Sequence, residues 1–206
     1  MNLNVNPIGV TARNTGRAAH FTLTYPSSRS LLLVGGSLQG TFAFAGIHFH
    51  WSSEHTIDQQ QFPIEMHLVF FNRMYNSLAE AAFHDNGLAV VGFFFTNNAL
   101  AKSRRWMDSL KNIRRRRSSY TFVHPESINL ARLVGTEIGE HFEYLGSLTI
   151  PPCYETVTWI IRKKPLLISN MQLSLFRSLE SDEGLMNNNN RPLQNLNNRT
   201  VWMSSK

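Results

Sequence analysis

Apolar positions gather along the chain in six short segments rich in aromatic and branched residues, each closing at turn-forming residues. They are His20–Tyr25 (HFTLTY), Ser30–Gly35 (SLLLVG), Thr41–Trp51 (TFAFAGIHFHW), Pro63–Asn72 (PIEMHLVFFN), Leu88–Thr96 (LAVVGFFFT) and Glu155–Lys163 (ETVTWIIRK). Such segments predict β-strands. Helical spacing appears in two places only. Between Ala101 and Ile113, Trp106, Leu110 and Ile113 fall on one apolar stripe. Near Ser169, a Ser169/Gln172 capping box precedes Leu175 and Leu179. Strands dominate, helices are few and peripheral, and no internal repeat is visible. The pattern predicts a mainly β fold, α+β by content.

The segment Thr41–Trp51 departs from a plain core strand. Alternation places His48 and His50 on one face with Phe44 and Gly46, and Ala45, Ile47, Phe49 and Trp51 on the opposite, packed face. Two imidazoles side by side make a poor core and a good start to a metal site. His67, in the segment Pro63–Asn72, is a third candidate on another strand. Catalytic zinc sites use three protein ligands and leave a fourth position open. Each histidine taken singly is an ordinary polar or core residue; the weight lies in the set.

Length and charge narrow the picture. The chain has 206 residues, 42% hydrophobic and 17% charged, which suits one globular domain with a sizeable core. Its net charge is +6, and the run Arg114–Arg117 supplies four positive charges. No nucleic-acid module accompanies that run, so a solvated loop is expected and no nucleic-acid partner. The longest apolar run, Gly87–Phe95, is too short to span a bilayer. The opening MNLNVNPIGV has neither the basic start nor the apolar stretch of a secretory signal. The Asn-rich tail, Asn187–Asn190 and Asn195–Arg199, is expected to be ordered loop.

Several dense motifs in order, HFHW from His48, SEHTID from Ser53, EMHLV from Glu65, DNGLAVVG from Asp85, GSLTIPPCYETVTWIIRKKPL from Gly146 and NNRPLQNLNNR from Asn189, are together similar to the α-carbonic anhydrase family. The resemblance runs along nearly the whole chain. It implies a large, twisted, mainly antiparallel sheet with a few short peripheral helices, in a single domain over residues 1–206 that lacks the family's amino-terminal segment. It implies zinc-dependent, reversible hydration of carbon dioxide to bicarbonate and a proton, performed by zinc-bound hydroxide and blocked by sulfonamides. His48, His50 and His67 would be the zinc ligands, and Thr149 and Glu54 would orient the hydroxide. Val69, Val90, Leu148, Val157 and Trp159 match the apolar wall that holds carbon dioxide. Glu65 matches a carboxylate that accepts from a ligand imidazole.

The chain also departs from that pattern. Gly46 stands where the family usually has a glutamine bonded to the first ligand, and Ile150 where a second threonine is common. Arg17 occupies the position of a proton-shuttling histidine. Arginine holds its proton and cannot relay it, so His20, three residues on, is the candidate substitute. Cys153, the single cysteine, matches a disulfide position of secreted and membrane-tethered members. That match favours an extracellular location over a cytoplasmic one. The alternative reading is a carbonic-anhydrase-like protein with little or no activity that serves as a binding module.

Overall fold

The computed structural model describes residues 3, 5–26, 31–102, 104–122 and 128–204. Its strands, in chain order, are β1 (Gly9–Asn14), β2 (Ala19–Thr24), β3 (Leu32–Leu33), β4 (Phe42–His50), β5 (Thr56–Ile57), β6 (Gln60–Gln61) and β7 (Ile64–Asn72). There follow β8 (Leu88–Asn97), β9 (Ser119–Phe122), β10 (His141–Gly146), β11 (Val157–Ile168), β12 (Glu180–Ser181), β13 (Gly184–Leu185) and β14 (Trp202–Ser204). Among the described residues there are also three short α-helices, α1 (Leu78–Ala81), α2 (Leu130–Val134) and α3 (Asn170–Arg177), and a 3₁₀ helix at Arg105–Ile113.

One large sheet runs in the order β14-β10-β11-β8-β7-β4-β2-β1-β9, with β3 added to β4. Every pairing in it is antiparallel except β8 with β11, which is parallel. β7 and β8 lie at its centre and are buried almost throughout, which is why both read as nearly continuous apolar runs. The fold is mainly β, as the chain pattern implies. Among the described residues, no helix is long and apolar enough to cross a membrane.

The sheet buries two apolar layers. On one face Phe49 meets Phe21, Trp106 and Phe176 at ring separations of 5.7, 5.8 and 4.9 Å. Trp106, Leu110 and Ile113 are all buried against this layer, so the predicted stripe is real, although the helix carrying it is 3₁₀ and Ser103 of the predicted span lies outside the described residues. α3 begins at Ser169, whose side chain accepts from the Gln172 backbone N–H. Its buried residues are Gln172, Leu173 and Phe176, while Leu175 is half-buried. On the other face a smaller apolar cluster gathers Val69, Val90, Phe94, Val157, Trp159 and Ile161.

Four differences from the sequence reading have physical causes. A β-bulge shifts the β4–β7 register between Phe44 and Gly46, and one extra residue inverts side-chain parity upstream of it. Phe44 therefore packs with the Phe49 layer, and Ala45 with the Trp159 layer; simple alternation placed them the other way round. The strand expected over Ser30–Gly35 shrinks to β3, and Ser30 lies outside the described residues. β11 runs past Lys163 to Ile168 and takes Pro165 at a register slip between Arg162 and Leu166, where a missing N–H does least harm. The arginine run is tethered as well as solvated: Arg114 approaches Glu180 at 3.3 Å and Arg116 meets Asp182 at 2.6 Å.

Phe49 is the hinge of the larger layer and is wholly buried. Phe49→Ala is expected to lower unfolding free energy by about 3–5 kcal/mol, read from urea denaturation. A loss below about 1 kcal/mol would show that this contact set is not central.

Candidate metal centre

Antiparallel pairing of β4 and β7 sets His48 opposite His67 and His50 opposite Glu65. Strand periodicity then turns all four side chains to one face. His48, His50 and His67 each present a ring nitrogen, and these atoms lie within 4.8 Å of one another. His67 Nδ1 is 3.0 Å from His48 Nε2. The ring centroids of His48 stand 5.2 Å from His50 and 4.8 Å from His67.

The remaining ring nitrogens decide which atoms are free to ligate. His50 Nδ1 lies 3.2 Å from the Asn189 carbonyl, and His67 Nε2 lies 2.7 Å from Glu65 Oε1. Each of those nitrogens must carry the proton, because its partner only accepts. The lone pairs left over are on His50 Nε2 and His67 Nδ1, facing His48 Nε2. His50 Nε2 is buried without a hydrogen-bond partner. It stands 3.3 Å from Glu54 Oε2, but the geometry is not that of a hydrogen bond, and that oxygen is orphaned too. Burial, then the neighbouring His67 and His50, hold His48 well below its ordinary range. Burial and His67 lower His50 as well, against the opposing pull of Glu54. Three converging imidazole nitrogens, one of them buried and orphaned, suit a four-coordinate divalent metal such as zinc.

Glu65 carries this arrangement. It is wholly buried and accepts four hydrogen bonds. Oε1 receives His67 Nε2 at 2.7 Å and His55 Nδ1 at 2.6 Å; Oε2 receives the backbone N–H groups of Glu54 and His55, both at 2.8 Å. Burial works against its charge, but His55 and His67 overcome it and keep the carboxyl well below the usual range. Burial likewise opposes the charge on His55, yet Glu65 raises it. His55 Nε2 in turn meets the Tyr144 hydroxyl at 2.6 Å. His55, Glu65 and His67 also form a compact trio, but it shares His67 with the first set and its atoms are already joined by hydrogen bonds.

The whole-chain comparison agrees with this geometry. Residues 1–205 match the model of the eukaryotic-type carbonic anhydrases. The chain belongs to that family. It is 38% identical to the mitochondrial carbonic anhydrase 5A of Homo sapiens, over 84% of this chain and 59% of that protein. It is 36% identical to Homo sapiens carbonic anhydrase 7, over 93% of this chain and 75% of that protein. For the mitochondrial carbonic anhydrase 5B of Rattus norvegicus the identity is 38%, over 84% of this chain and 57% of that protein. The chain thus spans less than two thirds of the length of the mitochondrial carbonic anhydrases it matches.

Around the three histidines, the structure draws some anticipated residues together and leaves others apart. Val69, Val90, Val157 and Trp159 form one buried cluster with Leu148 packed against it, and Trp159 lies 4.8 Å from the His67 ring. Thr149 is half-buried in the loop after β10. No hydrogen bond joins it to Glu54 among the described residues; Glu54 Oε1 accepts instead from the Arg191 backbone N–H at 2.9 Å. Ile150 is 47% exposed and Arg17 is exposed at the β1–β2 turn, whereas His20 lies directly opposite His48. Cys153 is a half-buried free thiol.

Sequence reasoning passed over Asn189. Its Oδ1 accepts from Trp51 N at 2.7 Å, its Nδ2 donates to the carbonyls of Arg17 and Phe49, and its own carbonyl receives His50. A run of four asparagines conceals which one clasps the site. His55 and Tyr144 were also missed, although SEHTID and the motif at Gly146 pass through or beside them.

His55→Ala would leave Glu65 with half its side-chain donors. Breaking a buried pair by removing one partner costs on the order of 3 kcal/mol, so urea denaturation is expected to show a loss near that size. An unchanged midpoint would show that His55 does not support the carboxylate.

Proposed function

We propose that this chain hydrates carbon dioxide reversibly to bicarbonate and a proton, with zinc held by His48 Nε2, His50 Nε2 and His67 Nδ1. The observation that carries the reading is the division of ring nitrogens, with the outer nitrogens of His50 and His67 engaged and a ring nitrogen from each of the three histidines brought within 4.8 Å of the others. Zinc bound there would supply a water acidified to a pKa of about 7.

The chain's own residues have the remaining tasks. Val69, Val90, Leu148, Val157 and Trp159 offer an apolar wall to an uncharged, weakly accepting substrate. The one polar atom of that wall, Trp159 Nε1, is spent on the Ser147 carbonyl at 3.0 Å. Glu54 Oε2, buried and without a partner, is the acceptor assigned to the Thr149 hydroxyl in this reading. A threonine that donates to a carboxylate can only accept from the attacking oxygen, which aims that oxygen at the carbon. Proton export is the weak step: Arg17 holds its place at the turn through its backbone carbonyl, which accepts from Asn189 Nδ2 at 2.7 Å, and its guanidinium offers only donors. A second reading, a metal-binding module without hydratase activity, draws on the absence of a hydrogen bond between Thr149 and Glu54.

Metal analysis with a carbon dioxide hydration assay tests the proposal. One zinc per chain and sulfonamide-sensitive activity are expected, and His67→Ala should abolish both, since two ligands do not hold a stable tetrahedral site. Full zinc and full activity in that variant would remove the assignment; zinc without activity in the parent chain would favour the second reading.

Proton export has its own check. Arg17→His is expected to raise kcat severalfold at low buffer concentration and to leave kcat/KM nearly unchanged, because attack on carbon dioxide precedes proton transfer. No gain, with a kcat that ignores added imidazole, would show that export is not limiting.

A further inference from the structure

His50 and His67 are each held by a hydrogen bond to the nitrogen turned away from the centre, but His48 Nδ1 has no hydrogen-bond partner among the described residues. A ligand ring free to turn about its side-chain bonds binds metal more weakly, because binding must then freeze it. Something else must therefore hold His48.

The space beside it is occupied by His20. The two residues are directly opposed in the β2–β4 ladder, and their rings are nearly parallel, inclined by 8° with centroids 6.1 Å apart. The other side of the same space is bounded by Gly46. A Cβ built there would stand 3.1 Å from His20 Cε1, tighter than ordinary contact, and 3.5 Å from the Phe21 carbonyl. Gly46 has no positive φ, so the backbone does not call for glycine. A glycine inside a strand weakens it and marks close approach; here the approaching group is the imidazole of His20.

We infer that Gly46 and His20 form a matched pair in which the His20 ring fills the room left by the missing side chain and braces His48 by ring packing. His20 is then a positioning residue for the first metal ligand. The inference rests on the reading of His48 as a zinc ligand. It concerns shape and packing and requires no proton transfer at His20.

A double-mutant cycle on the full chain tests it, with zinc dissociation constants from chelator competition and the visible spectrum of the cobalt(II) form as readouts. His20→Ala is expected to weaken zinc about tenfold and to alter the cobalt bands, because the His48 ring is no longer fixed. Gly46→Ala is expected to weaken zinc severalfold in the parent chain, by displacing His20, and to have no further effect in the His20→Ala background, where the space is open. Zinc affinity and cobalt bands unchanged in His20→Ala would overturn the pairing, as would an equal effect of Gly46→Ala in both backgrounds. If the parent chain itself binds no zinc, the metal-centre reading falls and this inference with it; intact parental binding confines any failure to the pairing.

Discussion

A fully buried carboxylate at Glu65 is the constraint around which the centre is built. An unpaired charge inside a protein is costly, and the cost is met only when every lone pair has a donor. The four donors come from three places: a strand neighbour, His67; a loop side chain, His55; and two successive backbone N–H groups at Glu54 and His55. The carboxylate therefore ties the loop after β4 to the centre of the sheet. It also orients the one histidine of the trio that is wholly buried in the sheet interior.

The tail supplies a second tie, from far away in the chain. Asn189 bonds to Trp51, Phe49, Arg17 and His50, so one residue fixes the end of β4, the β1–β2 turn and a ligand ring together. Next to it, Arg191 gives its backbone N–H to Glu54. These segments have no regular structure of their own. Their order comes from backbone and side-chain polar groups that would otherwise be buried unpaired, and the site inherits that order.

The face of the sheet that carries the centre is polar only where the histidines and Glu65 stand; beside them Trp159 and its neighbours are apolar. That juxtaposition follows from the position of β7 and β8 in the middle of the sheet. Their outer faces are covered by the larger core, and their inner faces are shared between the metal set and the apolar wall. A site for a small uncharged molecule beside a metal needs both surfaces within a few ångströms of each other, and adjacent strands provide that without a long loop.

Residue type and spacing were enough to read the mainly β class, the strands β2, β4, β7, β8 and β11, the apolar stripe of Trp106, Leu110 and Ile113, and the candidacy of His48, His50 and His67, but not the six-residue strands β1 and β10. Those signals are local, because strand alternation and helical spacing are properties of consecutive residues. Other features were decided by contacts between distant parts of the chain. The bulge before Gly46 reversed the faces of Phe44 and Ala45, since a one-residue insertion is set by pairing with β7 and leaves no mark on the pattern. Asn189 became a clasp because β4 and the tail meet, and nothing in four consecutive asparagines distinguishes it. The lack of a hydrogen bond between Thr149 and Glu54, and the filling of the space at Gly46 by His20, are likewise matters of distance across strands and loops. Sequence determined which side chains the strands offer to a site; the tertiary structure decided which atoms face one another, because burial and hydrogen-bond pairing are settled only where separate segments pack.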